Sequence, residues 1–462
     1  MKKLFYTISF IIWSLLLRAQ ITDSIFIGNK TTIYSKVLSE NRKIWIYNPE
    51  ITVPVKNEHK RYPVLYLLDG DAHFFSAVGI IQQLSQANGN GVLPEMIVVA
   101  IENTNRLRDL TPASPPVTNL GKANPFVNFL SSELIPYVDK NFKTAPYRVL
   151  AGHSLGGLTA VDILTNFPQL FNAYIAIDPS MWYNNEEYLN NTLSQVSQKK
   201  LNGTKLFVAT ANTMPKGMTL AKLKIDKSPE TQHIRSIIKM NQFFKNYQNG
   251  LVYDQAFYEN EKHNTVPLLS LYDGLKFVFN YYLFEVSEKE FSDSSALIAF
   301  RLKKHYANIS KELGYPVSAP QEFINYLGYD ALGKKHIAKA EALFKLNLEG
   351  YPNSYKVYDS YADLLIAKND TANSIVFYKK AMEIESDPIT LIKLNKLVKR
   401  ESLHLTPEDL KKYQGVYSLN NYKIDIILQV RNGKLWAKVP GQPDDEFLPI
   451  AKDVFTVKGK QG

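Results

Sequence analysis

The sequence predicts an α/β fold on a mainly parallel, doubly wound sheet, followed by a small all-α repeat segment and a small β-unit. Three changes of texture carry this reading. Between residues 40 and 285 short apolar runs alternate with helical stretches; from about residue 291 helix follows helix; after Thr406-Pro407 the pattern is that of hairpins. Strand–helix–strand alternation is how a helix-covered open sheet is written in sequence. At 462 residues the chain exceeds what one compact core holds, which fits several domains.

The chain opens on Met1-Lys2-Lys3, an apolar run from Leu4 to Leu17, and Arg18-Ala19-Gln20. A positive start before a short apolar stretch reads as a signal peptide over residues 1–20, cleaved after Ala19 or Gln20. The run is too short to span a bilayer comfortably, so no transmembrane segment is expected in the mature chain. An exported protein, periplasmic or secreted in a bacterium, follows. There is no cysteine, which excludes disulfides, thiolate metal sites and a thiol nucleophile. Of the formal +10, the leader carries three positive charges, residues 21–290 a net +2 and residues 291–462 a net +5. The nearly neutral larger module lacks any run of Lys and Arg interleaved with aromatics, so a nucleic-acid partner is not expected.

Within residues 21–290 the expected strands are Lys43–Tyr47, Val64–Leu68, Met96–Ile101, Arg148–Ala151, Ala173–Ile177, Lys205–Ala209 and Tyr253–Tyr258. Several are continuous apolar runs, as strands buried on both faces require. Helical periodicity falls between and after them, at Pro125–Lys140, Gly157–Asn166, His233–Tyr247 and Leu268–Leu283. In residues 291–400, aligning Ile324, Leu327, Gly328, Ala340, Phe344 and Pro352 with Tyr358, Tyr361, Ala362, Ser374 and Tyr378 gives two 34-residue units over about 321–388. Both resemble tetratricopeptide repeats, with small residues where helices meet closely. Two units are few for a free-standing array, so a neighbouring domain or a protein partner is expected against them. Residues 405–462 read as a small β-unit: Tyr413–Tyr417, Lys423–Val430, the Asn432-Gly433 turn, Leu435–Val439 and Val454–Val457. The chain stops soon after the last of these, as a truncated or unusually short module would.

The chemistry is carried by Gly152-His153-Ser154-Leu155-Gly156, a G-x-S-x-G pentapeptide directly after the strand Arg148–Ala151 and directly before a helix. A sharp strand-to-helix turn strains the serine backbone and leaves no room for flanking side chains, so glycine stands on both sides. Ser154 is the candidate nucleophile. A serine hydroxyl needs a base, and chain order in such folds puts the histidine after the last core strand. Of eight histidines His263 meets that requirement: it follows Tyr253–Tyr258 and precedes the helix near Pro267. His233 reads as a helix-surface residue and His153 as part of the turn itself. Two donors must face the developing oxyanion: the Leu155 N–H, and the N–H of Gly70 or Asp71 in the loop after Val64–Leu68.

The acid that orients the imidazole is expected after Lys205–Ala209, where Thr210-Ala211-Asn212-Thr213 offers no carboxylate. Asp226 is the first candidate, Glu261 the second and Asp178 the third, beside a Ser–His dyad with no acid at all. Arg106 and Arg108, after Met96–Ile101, lie toward the substrate side of an open sheet and are candidate anchors for an anionic or hydroxylated group, or else they order their own loop with Asp109. Trp182 is a candidate aromatic contact or a core cover.

The chain from about 35 to 283 resembles bacterial esterases of the esterase D type, the α/β-hydrolase group that includes enterochelin and feruloyl esterases. The matching stretches are Arg42–Tyr47, Tyr66-Leu67-Leu68-Asp69-Gly70, Asn103-Thr104 with Arg106 and Arg108–Pro112, Ala151–Gly157, Asp178-Pro179-Ser180-Met181-Trp182, and His263–Pro267. The resemblance implies Ser154 as nucleophile and His263 as base. In many members a carboxylate follows the penultimate strand, where this chain has none. The expectation is therefore an exported serine esterase without cofactor or metal, acting on a small-molecule or glycan ester such as a siderophore lactone. The competing class is a non-catalytic binding or scaffold protein, using the repeats and β-unit on a degenerate hydrolase platform.

Overall fold

The computed structural model describes residues 26–51, 60–86, 91–112, 124–247, 249–398, 405–419, 424–451 and 453–458; the expected leader, residues 1–20, lies outside them. The chain divides into two compact units, one running to Leu283 and taking in 312–315, the other comprising 284–311 and 316–462.

The first unit is an α/β-hydrolase sheet of eight strands in the order β1-β2-β4-β3-β5-β6-β7-β8. Strands β1 (Asn29–Ser35) and β2 (Glu40–Tyr47) form an antiparallel hairpin that pairs antiparallel to β4 (Ile97–Ile101). From β4 onward the pairing is parallel through β3 (Tyr62–Leu67), β5 (Thr144–His153), β6 (Ala173–Ile177), β7 (Lys205–Ala211) and β8 (Val252–Tyr258). Every residue of β3, β4, β6 and β7 is buried, which is why they read as unbroken apolar runs. Lys205 is the exception in chemistry: its ammonium donates to the Val278 carbonyl at 2.7 Å and lies 4.3 Å from the Tyr281 ring centre. β8 is an edge strand, exposed or half-buried along its length.

The parallel strands bring their C-terminal ends, and the start of each segment that follows, to one edge of the sheet. Helix α1 (Gly70–Gln86) follows β3, α2 (Leu155–Asn166) follows β5, α3 (Gln232–Lys245) lies between β7 and β8, and α4 (Pro267–Val278) follows β8. Helix α2 is buried along its whole length, matching its lack of any charged residue but Asp162. Helix α3 is two-sided: Ile234, Ile237, Met240 and Phe244 face the core, with charged residues elsewhere.

The second unit contains all but the last two residues of α5 (Leu297–Leu313), and α6 (Gln321–Gly333), α7 (Ile337–Gly350), α8 (Tyr355–Ala367), α9 (Thr371–Ile384) and α10 (Pro388–Val398). A Cβ on Gly328 of α6 would come within 2.4 Å of the Phe344 ring of α7, so glycine is what lets these helices meet. At the matching place in the next pair, Ser374 donates to the Ala362 carbonyl at 3.0 Å. Strands β9 (Gly415–Leu419), β10 (Ile424–Arg431), β11 (Lys434–Lys438), β12 (Asp445–Ala451) and β13 (Val454–Val457) follow and form an antiparallel sheet in the order β13-β12-β11-β10-β9. Asn432 and Gly433, both at positive φ, make the two-residue turn expected between its second and third strands. Among the described residues no helix is long and apolar enough to cross a membrane.

Candidate active site

Ser154 stands between the last residue of β5 and the first of α2, with φ +60° and ψ −114°. The turn is that tight because a Cβ on Gly152 would fall 2.4 Å from the Gly156 backbone, and one on Gly157 3.0 Å from Pro179. Its N–H donates to the Ile177 carbonyl at 2.9 Å, and its carbonyl accepts from the N–H groups of Leu158 and Ser180. The strained backbone is thereby pinned to the end of the neighbouring strand β6.

The hydroxyl meets two partners. His263 Nε2 lies 3.1 Å from Ser154 Oγ, and Ser180 Oγ lies 3.1 Å away on another side. His263 sits in the turn between β8 and α4, and its other nitrogen, Nδ1, is 2.6 Å from Asp178 Oδ2. With Nδ1 donating to the carboxylate, Nε2 is left bare to accept the serine proton.

The carboxylate on the imidazole is therefore Asp178's, the third of the sequence candidates. Asp226 bonds elsewhere: its Oδ2 accepts from the Ser228 N–H and hydroxyl and from the Thr231 hydroxyl, ordering the approach to α3. Glu261 contributes its backbone carbonyl, which accepts from the Asn212 N–H at 2.9 Å. Asp178 ends β6 at φ +41° and is wholly buried. Burial alone would push its carboxyl up, but hydrogen bonds from His233 and His263, with one from the Ala211 N–H, outweigh it and hold the group down at about 2.

Two further histidines crowd the imidazole. The His153 ring lies 4.5 Å from that of His263, and the His233 ring 5.1 Å away, nearly perpendicular. His233 Nε2 reaches Asp178 Oδ2 at 2.9 Å, a contact that the helix-surface reading of its sequence position missed. Nothing in one dimension announces it, because the two residues are 55 positions apart. Burial, with the positive side of His263 and His73 nearby, lowers His153 to about 4, so it stays neutral beside its working neighbour. Burial likewise lowers His73, whose ring packs edge-on at 6.0 Å from that of His153.

Leu155, Gly70 and Asp71 occupy first-turn positions of α2 and α1, where backbone N–H groups have no partner within the helix. Gly70 is required there, since a Cβ would lie 2.5 Å from the Ala100 and Ile101 backbone. The preceding Asp69 accepts Arg106 through both oxygens, at 2.6 and 2.9 Å, and Asn103 at 2.7 Å. Arg106 also donates to the His153 carbonyl at 3.3 Å, tying the turn that holds Asp69 to the serine turn. Arg108 is spent on Glu40 and on Asp109, the buried carboxylate that also holds Arg42. Both guanidinium groups thus bond to carboxylates of neighbouring segments, and each keeps about a third of its side chain exposed. Trp182 is 42% exposed on the segment that follows Asp178.

Asp178, His233 and His263 bring possible ligand atoms within 4.8 Å of one another, but each of these atoms already closes one of the hydrogen bonds above. A cleft of about 670 Å³ between α3 and β8 is lined by Leu223, Arg235, Lys239, Lys245 and Phe257 among others; Ser154, His263 and Asp178 are not part of it.

Residues 35–248 match the family model described as "Putative esterase". Among curated proteins, the siderophore triacetylfusarinine C esterase of Aspergillus fumigatus is 32% identical over 183 residues, 35% of this chain and 61% of that protein. The ferri-bacillibactin esterase BesA of Bacillus subtilis is 29% identical over 194 residues, 37% of this chain and 66% of that one. The chain thus spans less than two thirds of the length of these relatives. Among solved structures, an IroE-like serine hydrolase from Shewanella oneidensis superposes with a TM-score of 0.56 at 26% identity, covering 70% of this chain and 99% of that one. An uncharacterised protein from Capnocytophaga ochracea, 18% identical, shares the fold with a TM-score of 0.56 over 81% of this chain and the whole of that one. The likeness to the putative-esterase family model thus lies in residues 35–248, the segment that holds the serine turn.

Proposed function

We propose that the protein is a serine esterase that hydrolyses carboxylic esters through an acyl-enzyme. The observation that carries this reading is the unbroken chain from Ser154 Oγ to His263 Nε2 and from His263 Nδ1 to Asp178 Oδ2. Ser154 Oγ attacks the ester carbonyl carbon while its proton passes to His263 Nε2. The carbonyl oxygen becomes an oxyanion facing the N–H groups of Leu155 and of Gly70 or Asp71, each such donor contributing on the order of 10²–10³ in rate. Collapse expels the alcohol, which takes the proton from Nε2 and leaves an acyl-Ser154 ester. Water, losing a proton to the same nitrogen, then releases the acid and restores the serine. Asp178 stays ionised throughout and balances the imidazolium.

Siderophore esters are the favoured substrate class, because the relatives over this segment are named for them. Feruloyl-type esters are second, through a Xylanibacter ruminicola endo-1,4-beta-xylanase/feruloyl esterase that is 33% identical over 128 residues. Export through the leader at 1–20 and a tetratricopeptide-like role for 321–388 in holding a protein partner belong to the same proposal. A purely scaffolding protein would have no need of the hydrogen-bonded chain that ends on Ser154. The test is hydrolysis of a short-chain nitrophenyl ester by the purified protein and by Ser154→Ala, with fluorophosphonate labelling of both. A loss of at least about 10³-fold in kcat together with loss of labelling is expected. Equal rates end the proposal.

A further inference from the structure

Asp178 carries more donors than a catalytic acid needs. Its Oδ1 accepts the Ala211 N–H at 2.9 Å, while its Oδ2 accepts two imidazoles, His263 Nδ1 at 2.6 Å and His233 Nε2 at 2.9 Å. We propose that His233 is a positioning residue for ester hydrolysis: a second imidazole N–H that fixes the Asp178 carboxylate and, through it, the plane and tautomer of His263. The inference rests on the serine-esterase reading above.

The support comes from where each group is anchored. Without His233, Oδ1 is tied to the Ala211 N–H and Oδ2 only to a side chain on a loop, so the second oxygen can shift with that loop. Each such shift would misdirect Nδ1 and carry Nε2 away from Ser154. His233 removes that freedom from a rigid base. It lies in the first turn of α3, a 14-residue helix whose neighbouring Ile234, Ile237, Met240 and Phe244 are locked in the core. Its carbonyl accepts the Ser236 hydroxyl at 2.7 Å. His263, by contrast, sits in a turn and keeps 34% of its side chain exposed, against 19% for His233. The fixed histidine therefore constrains the movable one. The His233 ring also stands edge-on to His263 while His153 packs from β5, so the catalytic imidazole is walled by two others.

The same bond tunes the base. A second donor on Oδ2 draws off part of the charge that would otherwise favour the His263 imidazolium. Around His263 the other ionisable groups are His153 from the serine turn, His73 from α1 behind it, and Arg106, whose charge is matched by Asp69. On its own turn Glu261 and Lys262 complete the set. None of these touches Asp178 Oδ2. Loss of the His233 donor should therefore move the acid limb of kcat/KM to higher pH.

The test compares His233→Ala, His233→Gln and His233→Asn in the whole chain, using a short-chain nitrophenyl ester across the pH range. Gln places an amide N–H near where Nε2 stood; Asn is too short. The expected result is a kcat about tenfold to a hundredfold lower for His233→Ala, KM within about threefold, and an acid limb moved upward by about half a unit or more. His233→Gln should recover most of the rate and the wild-type pH profile, and His233→Asn should not. Full activity and an unmoved acid limb in His233→Ala would overturn the inference, as would a Gln variant no better than the Asn variant. If His233→Ala fails to fold, the Gln–Asn comparison decides alone. Ser154→Ala in the same assay separates the two levels of argument. A wild-type rate there removes the esterase reading itself, whereas a dead Ser154→Ala beside a fully active His233→Ala removes only the role of His233.

Discussion

His153 gives the site a dependence on acid that can be measured separately from catalysis. Its Nε2 is buried with no hydrogen-bond partner among the described residues, and burial with nearby His263 and His73 lowers its pKa from 6.5 to about 4. The folded protein therefore resists a proton that the unfolded chain accepts. The stability linked to this group is complete above the unfolded pKa near 6.5 and drains away as pH falls toward 4. Two and a half units at about 1.4 kcal/mol each give a loss of about 3 kcal/mol across that window. Asp178 works in a lower window: its pKa is held down at about 2, so its contribution survives until pH drops below about 4 and does not blur the comparison. Replacing His153 with Phe keeps a ring in place and removes the titration. Urea unfolding of both proteins, followed by the fluorescence of Trp45 and Trp182 in the first unit, gives their stability difference at each pH. Packing changes shift that difference by a constant, and only the lost titration tilts it. The variant should gain about 3 kcal/mol on the wild type between about pH 7 and pH 4. Parallel curves would refute the burial argument and with it the claim that His153 stays neutral beside His263.

The remaining predictions concern the acid and the oxyanion loop. Asp178→Asn should lower kcat for a nitrophenyl ester about 10³–10⁴-fold, because the amide favours the wrong imidazole tautomer. Asp226→Asn and Glu261→Gln, whose side chains do not reach His263, should stay within about threefold in the same assay. Gly70→Ala would press a Cβ against the Ala100 and Ile101 backbone, which cannot yield, and so displace the start of α1. A kcat lowered about a hundredfold with fluorophosphonate labelling slowed in parallel is expected, and unchanged labelling would move the second oxyanion donor elsewhere.

What the sequence made legible follows from where its information is local. Strands β3, β4, β6 and β7 were readable because both faces are buried and the apolar run is unbroken. Strand β1, Asn-Lys-Thr-Thr-Ile-Tyr-Ser, was not expected: it is an edge strand whose residues are mostly exposed or half-buried, and it is held by pairing with β2. The serine turn was legible because Gly152 is demanded by a contact only four residues away, with the Gly156 backbone, and His263 because chain order and a preceding strand mark its place. The contacts that misled the ranking of acids are long-range. Asp178 is 85 positions from His263 and His233 is 55 from Asp178, and no period or spacing encodes either. A signal for Asp178 did exist, in an acid directly closing the apolar strand Ala173–Ile177 within the quoted Asp178–Trp182 stretch. Arg106 and Arg108 could not be sorted from the sequence, since their partners Asp69 and Glu40 come from other elements.

The displaced acid makes sense once the ends of β6 and β7 are considered together. The imidazole needs a carboxylate behind it, and the turn that bears it needs an anchor to the sheet. Chain order assigns the carboxylate to the end of β7, yet Asn212 follows that strand. Asn212 is not idle. Its N–H donates to the Glu261 carbonyl, its side-chain amide to the Glu259 carbonyl at 2.9 Å, and its own carbonyl accepts the Lys262 ammonium at 3.0 Å. Three bonds thus fasten the histidine turn to β7. The carboxylate comes instead from β6, one strand nearer to Ser154. There the Asp178 N–H donates to the Ala209 carbonyl at 2.8 Å, and Oδ1 takes the Ala211 N–H, so the backbone end of β7 supports an acid it does not supply. At the oxygen that faces His263, α3 presents His233 Nε2 at 2.9 Å. The acid from β6 is thus held on Oδ1 by the end of β7 and on Oδ2 by α3 as well as by His263, so on the reading proposed above the neighbouring elements fix an acid that neither of them supplies.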